Sequence, residues 1–87
     1  MTVDENEVIE RLDALPDLYA DRVRPVDLAA MRSLAGGGEW DELIDVLVAS
    51  LNLTQAAVTS GERDELRSLL AAMDMPVEPL TGLNVAG

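Results

Sequence analysis

Residues 39–51 of this 87-residue chain, EWDELIDVLVASL, decide its fold, because their apolar side chains recur every three or four positions. That spacing is typical of one face of an amphipathic α-helix. The apolar face comprises Trp40, Leu43, Ile44, Leu47, Val48 and Leu51, and the polar face carries Asp41, Glu42, Asp45 and Asn52. The stretch therefore predicts a helix that buries one face against other elements.

Three consecutive glycines at positions 36–38 directly precede this helix. A phosphate-binding P-loop needs a lysine and a hydroxyl residue directly after its last glycine, whereas Glu39 and Trp40 follow here. A dinucleotide-binding loop needs a preceding strand. Here a helix is predicted instead, beginning at Pro25 and carrying Val26, Leu28, Ala29, Met31 and Leu34. The glycines are interpreted as the end of that helix and a corner leading into the next.

Two further helices are predicted outside this pair. The first opens at a capping box with Thr2 as N-cap and Glu5 three residues later, and Pro16 ends it. The last opens at a second capping box, formed by Thr59 and Glu62. Their apolar faces comprise Val8, Ile9, Leu12 and Leu15 in the first helix, and Leu66, Leu69, Leu70 and Met73 in the last.

Two segments lack a clear helical pattern. Residues 17–24 are ambiguous, and one interpretation is a short helical turn that buries Leu18 and Val23. Residues 75–79 contain two prolines and cannot continue a helix. We expect residues 76–87, with Leu80, Leu83 and Val85, to form a tail that lies extended across the helices.

The predicted fold class is all-α, because no segment alternates polar and apolar residues as a half-buried strand does. Four helices, each with one apolar face, must pack together to cover those faces. The sequence thus predicts a single domain over residues 1–87: a small four-helix bundle, with one extra helical turn if residues 17–24 form it.

The charge balance restricts the partners of the chain. Seventeen acidic residues oppose six arginines, and lysine and histidine are absent, so the net charge is −11. Such a chain repels nucleic acid and anionic membranes. No apolar run approaches the roughly 18 residues of a membrane span, and the acidic N-terminus does not resemble a signal peptide. We therefore expect a cytoplasmic protein whose charge serves solubility, adaptation to high salt, or binding of a basic protein.

The side chains for catalysis are few. Without histidine, cysteine or lysine, only carboxylates and Tyr19 remain as general acids and bases. Asp41 and Asp45 lie one helical turn apart, but a solvated helix face explains this spacing. Zinc ligands are missing, and no calcium-loop pattern occurs. We expect no enzyme activity, no cofactor and no metal site.

Surface recognition is the remaining hypothesis. The candidate partner-binding residues are Glu39, Trp40, Asp41, Glu42, Asp45, Glu62, Asp64 and Glu65. Trp40 is either a half-buried residue at the edge of the core or an exposed interface anchor. Whether the two acidic clusters form one patch or two is not decided by their spacing.

Residues 31–75 resemble the small immunity proteins of bacterial polymorphic-toxin and contact-dependent inhibition systems, particularly the Maf-type group. The resemblance lies in GGEWDELIDVLVASL (residues 37–51), a glycine–glutamate–aromatic start followed by a leucine ladder, and in VTSGERDELRSLLAAMDM (residues 58–75). It implies a non-enzymatic inhibitor that binds the catalytic domain of a toxin in the cytoplasm of the producing cell. Many such toxins cut nucleic acid, so an acidic inhibitor would imitate the phosphate backbone.

Two other functions stay open. The chain could be an acidic adaptor without a toxin partner, or a homodimer that pairs spare apolar surface such as Leu80, Leu83 and Val85. A carboxylate-only enzyme would require a cleft with two buried acids.

Overall fold

The computed structural model describes residues 4–86, which form five α-helices and one 3₁₀ helix. The α-helices are α1 (Glu5–Asp13), α2 (Leu15–Leu18), α3 (Pro25–Gly36), α4 (Trp40–Thr54) and α5 (Ser60–Ala72), and the 3₁₀ helix covers Glu78–Gly82. Within these residues the one β-type pairing is an isolated bridge between Val58 and Val85. The all-α prediction is confirmed, with four longer helices and α2 as the extra turn.

The glycine-rich corner joins α3 to α4. Gly38 has a φ of 70°, in the left-handed region that glycine adopts without a steric penalty. The backbone amides of Gly38 and Glu39 donate to the carbonyls of Ala35 (3.1 Å) and Leu34 (2.9 Å). This is the hydrogen-bond pair of a Schellman motif, so the predicted helix end at residues 36–38 is confirmed.

α4 is the central element of the core. Its predicted apolar face is confirmed: Leu43, Ile44, Leu47, Val48 and Leu51 are buried, and Trp40 at its start is half-buried. Side chains of α1, α3, α5 and the tail complete a single apolar cluster around them. The helix runs past its predicted end as far as Thr54, where the left-handed Gln55 caps it.

The first helix starts differently from the prediction. The predicted cap Thr2 lies outside the described residues. Within them α1 begins at Glu5, and the carboxylate of Asp4 caps it by accepting a hydrogen bond from the Asn6 amide at 3.0 Å. The helix ends at Asp13, before Pro16, which lies in the first turn of α2, where its missing amide hydrogen leaves no bond unmade.

The connection after α1 is partly as predicted. A short helical turn forms, but as α2 at Leu15–Leu18, so it begins two residues before the predicted segment 17–24 and covers only its first two residues; Val23 is buried as predicted. The prediction that Leu18 is buried is wrong: it is 51% exposed, because Leu15 and Tyr19 occupy the inward positions. Val26, placed on the apolar face of α3, is likewise 66% exposed.

The tail packs on the bundle, but it is not extended throughout. Its first part winds into the 3₁₀ helix, and only its end runs beside the α4–α5 connection, where the amide of Val58 donates to the carbonyl of Asn84 at 3.0 Å. Leu80 and Leu83 are buried in the core of this chain. They therefore do not provide the spare apolar surface suggested for a homodimer.

No helix in the described range 4–86 has the length and apolar character needed to cross a membrane.

Candidate functional site

Three arginines, Arg11, Arg22 and Arg32, join parts of the chain that are 15 or more residues apart. Within residues 4–86 the ion pairs are Arg11–Glu65, Arg22–Asp21, Arg22–Glu62, Arg24–Asp27, Arg32–Asp17 and Arg63–Asp64. Six of the 17 acids are therefore paired, and eleven have no arginine partner among the described residues. Nine of these eleven, which we call the α1/α4 acids, are Asp4, Glu5, Glu7, Glu10, Asp13, Glu39, Asp41, Glu42 and Asp45.

Glu62, a predicted partner-binding residue, holds the fold together. Its carboxylate oxygens accept hydrogen bonds from both terminal nitrogens of Arg22, at 2.7 and 2.8 Å, and from the Thr59 amide at 2.9 Å. The hydroxyl of Thr59 accepts the Glu62 amide in return at 3.0 Å, which confirms the predicted capping box. The bonds from Arg22, followed by those from Thr59, lower the pKa of Glu62 to about 2.

Two side chains near Glu62, those of Glu65 and Tyr19, also interact with arginines of the same chain. Glu65 pairs with Arg11, which also donates to the hydroxyl of Ser68 at 3.2 Å, so α1 is bound to α5. The guanidinium of Arg22 lies 4.4 Å above the ring centre of the buried Tyr19. Burial, reinforced by Glu62, raises the pKa of Tyr19 to about 12, so its phenol stays protonated at neutral pH.

A groove opens where one side of α1 and the start of α4 meet the end of α5. It has a volume of about 480 Å³. We call it the α1/α4 groove, and it is lined by Glu5, Val8, Ile9, Leu12, Gly38, Trp40, Asp41, Ala72 and Met73. The four α1 residues follow helical spacing and present one side of that helix. Its walls are mainly apolar, and two of the α1/α4 acids, Glu5 and Asp41, stand at its edge.

The predicted site residues divide between two patches. Trp40 and Asp41 line the α1/α4 groove, and the exposed Glu39, Glu42 and Asp45 belong to the same corner and first turns of α4. Residues 62–65 lie near the start of α5, whereas the groove contacts its end at Ala72 and Met73, about 10 to 16 Å away at 1.5 Å per residue. The structure therefore separates the two acidic clusters that the sequence left undecided.

Sequence reasoning missed the contributions of α1 and α5 to the groove. Ile9 and Met73 are half-buried although apolar, and both line the groove. Helical periodicity assigned both to the core. That assignment carries no information on which helix edges meet, so no signal in a single sequence identifies the groove.

Ser50 is a buried polar residue, and its contacts are structural. Its hydroxyl donates to the carboxylate of Asp27 at 2.7 Å and accepts the Arg24 amide at 3.2 Å. Arg24 and then Ser50 lower the pKa of Asp27, which makes this carboxylate a weaker base. Asp27 is therefore unsuited to activating the Ser50 hydroxyl as a nucleophile.

The acids do not converge on a metal position. Across residues 4–86, no three or more carboxylates come close enough to hold one ion. Asp41 and Asp45, considered above as a carboxylate pair, are both exposed.

No protein-family model matches the chain, and no curated protein or solved structure shows a significant match to it.

Proposed function

We propose that this chain is a non-enzymatic immunity protein that binds and neutralises the basic catalytic domain of a secreted toxin. The contact surface would be the start of α4, with Glu39, Trp40, Asp41, Glu42 and Asp45, together with the start of α1. The resemblance of residues 31–75 to Maf-type immunity proteins suggests the toxin as partner. The proposed role needs no cofactor and places the complex in the cytoplasm.

The observation that carries this proposal is the distribution of unpaired charge. Nine of the eleven acids without an arginine partner among the described residues lie on α1 and the start of α4. A field of one sign speeds the approach of an oppositely charged partner and disfavours acidic ones. A toxin domain that grips nucleic acid must be basic where it binds phosphates, and would meet this surface with complementary charge.

The test is direct binding to a candidate toxin domain. The candidate is the variable C-terminal domain of a large secreted protein encoded beside this chain. We expect a one-to-one complex by calorimetry, loss of toxin activity in that complex, and affinity that falls as salt rises from about 0.02 to 0.5 M.

Matched variants locate the surface. Replacing Asp41, Glu42 and Asp45 by their amides should weaken binding about tenfold, since three exposed ion pairs of roughly 0.2–1 kcal/mol each sum to that order. The control removes three exposed acids elsewhere, Asp17, Asp21 and Glu78, with the same change of net charge. Absence of binding at low salt, or an equal loss in both variants, would contradict the proposal.

A homodimeric adaptor is the second candidate, and it has its own observation. Leu18, Val26 and Leu53 are large apolar side chains that are 51%, 66% and 61% exposed. Self-association through them would give a mass that doubles with concentration in light scattering. A Leu53→Gln variant would abolish that increase, whereas a monomer would show none.

A further inference from the structure

The α1/α4 groove combines apolar walls with an acidic edge. Ile9 of α1, Trp40 of α4 and Met73 beside the end of α5 form its walls, and each is only half-buried. Glu5 and Asp41, both exposed, stand at the edge. A ligand that fits here must therefore cover apolar surface and bring positive charge to the edge.

The electrostatics of the groove favour a cation. No arginine is among the residues that line it. Low-dielectric walls focus the field of nearby charges, so the potential between Glu5 and Asp41 is negative. The indole of Trp40 adds a face that binds guanidinium or ammonium groups, and the flexible thioether of Met73 adapts to different apolar side chains.

The dimensions of the groove fit a short helical segment. The α1 residues that line it extend from Glu5 to Leu12, seven positions along the helix. At 1.5 Å per residue they cover about 10 Å, which equals about two turns of a second helix. Two turns place apolar side chains at positions i and i+4 on one face, the pattern by which amphipathic helices dock in grooves.

We propose that the α1/α4 groove binds a short basic amphipathic helix of the partner protein. Two apolar side chains one turn apart contact Ile9, Trp40 and Met73, and flanking arginine or lysine residues pair with Glu5 and Asp41. This inference rests on the proposed function, because it specifies which segment of the basic partner the acidic surface binds.

The test uses a synthetic helical peptide and the fluorescence of Trp40, the one tryptophan in the chain. The probe has about 14 residues, with leucines at helical spacing on one face and arginines on the other, and contains no aromatic residue. A second peptide has the same composition in an order that breaks the apolar face. We expect the first peptide to shift the Trp40 emission to the blue in a saturable manner, with at least tenfold higher affinity than the second.

Variants separate the groove from the rest of the surface. Ile9→Gln removes an apolar contact from the wall and should weaken binding of the first peptide about tenfold. Leu53→Gln is the matched control, since it alters an exposed apolar residue about 20 Å along α4 from Trp40. Asp41→Asn should weaken binding a few fold, and only at low salt. Circular dichroism checks that each variant is folded.

Several results would overturn the proposal. They are equal affinity for the two peptides, no saturable emission change with either, or equal effects of Ile9→Gln and Leu53→Gln. The toxin experiment has a separate outcome. If a toxin domain binds Ile9→Gln as tightly as the wild type, the proposed function stands and the groove is not part of the contact surface. If the peptide binds in the groove but no toxin domain binds the chain, the groove assignment stands and the proposed function is wrong.

Discussion

Glu62→Gln tests whether the bidentate pair with Arg22 is what makes this fold sensitive to acid. Glutamine keeps the length of the side chain and its carbonyl still accepts the Thr59 amide, so the capping box survives. The substitution removes only the negative charge. Arg22 retains the carbonyl of Leu18 at 3.1 Å and a side chain that is 22% exposed, so it is not left as an isolated buried charge.

The magnitude follows from the pKa of Glu62. A decrease from 4.5 to about 2 corresponds to roughly 3 kcal/mol at full effect. Because both side chains are about one-fifth exposed, solvent screening reduces this, and we expect the variant to lose about 1–2 kcal/mol of unfolding free energy at neutral pH. A lowered pKa stabilises the folded state above the pKa of the unfolded chain. The contribution is lost as the pH falls from about 5 to about 2.

The assay is urea denaturation followed by far-ultraviolet circular dichroism, at about pH 7, 4 and 2.5. The difference in unfolding free energy between wild type and Glu62→Gln should be largest at neutral pH and shrink at the lowest pH. Glu42→Gln is the matched control, because Glu42 occupies the same third helical position in α4 and has no arginine partner in the described chain. A Glu62→Gln deficit that is constant with pH, or equal to that of Glu42→Gln, would refute the reasoning.

Substitutions at three positions test other contacts by thermal or urea denaturation. Ser50→Ala removes the buried hydroxyl that donates to Asp27 at 2.7 Å, and we expect a loss of about 1–2 kcal/mol. Asp74→Gly should stabilise the chain by about 1 kcal/mol, because Asp74 has a φ of 59° at the end of α5, whereas Asp74→Ala should give no gain. Gly82→Ala should cost about 1–3 kcal/mol, since its Cβ would overlap the Oδ1 of Asn52 and displace an amide that donates to the Pro79 carbonyl in the tail.

The sequence predicted those features that depend on neighbours close along the chain. Helical periodicity identified the buried face of α4, and the capping box at Thr59 identified the start of α5 within a residue. The glycine corner was predictable because only glycine adopts the left-handed φ of Gly38 without penalty. Each of these signals lies within about one or two turns of helix.

What could not be predicted depends on contacts between distant residues. Leu18 and Val26 have the spacing of core residues, but the helices around them leave both side chains in solvent. Glu62 and Asp41 are alike in sequence, since both follow a helix start. Only the fold brings Arg22, 40 residues away, to Glu62 and leaves Asp41 at the edge of a groove.

The placement of the α1/α4 acids has a structural explanation only in part. Glu5, Glu7, Asp41 and Glu42 lie in the first turns of their helices, where the helix dipole favours negative charge. That effect decays within the first turn, so it does not account for Glu10, Asp13 or Asp45. Bringing α1 and the start of α4 to one groove also adds repulsion between like charges. The chain relieves it only in part, because Arg11 lies one turn from Glu7 on α1 but pairs with Glu65, and the other paired arginines bind acids elsewhere. A basic partner would relieve it, and the repulsion that destabilises the free chain would then add to the free energy of binding.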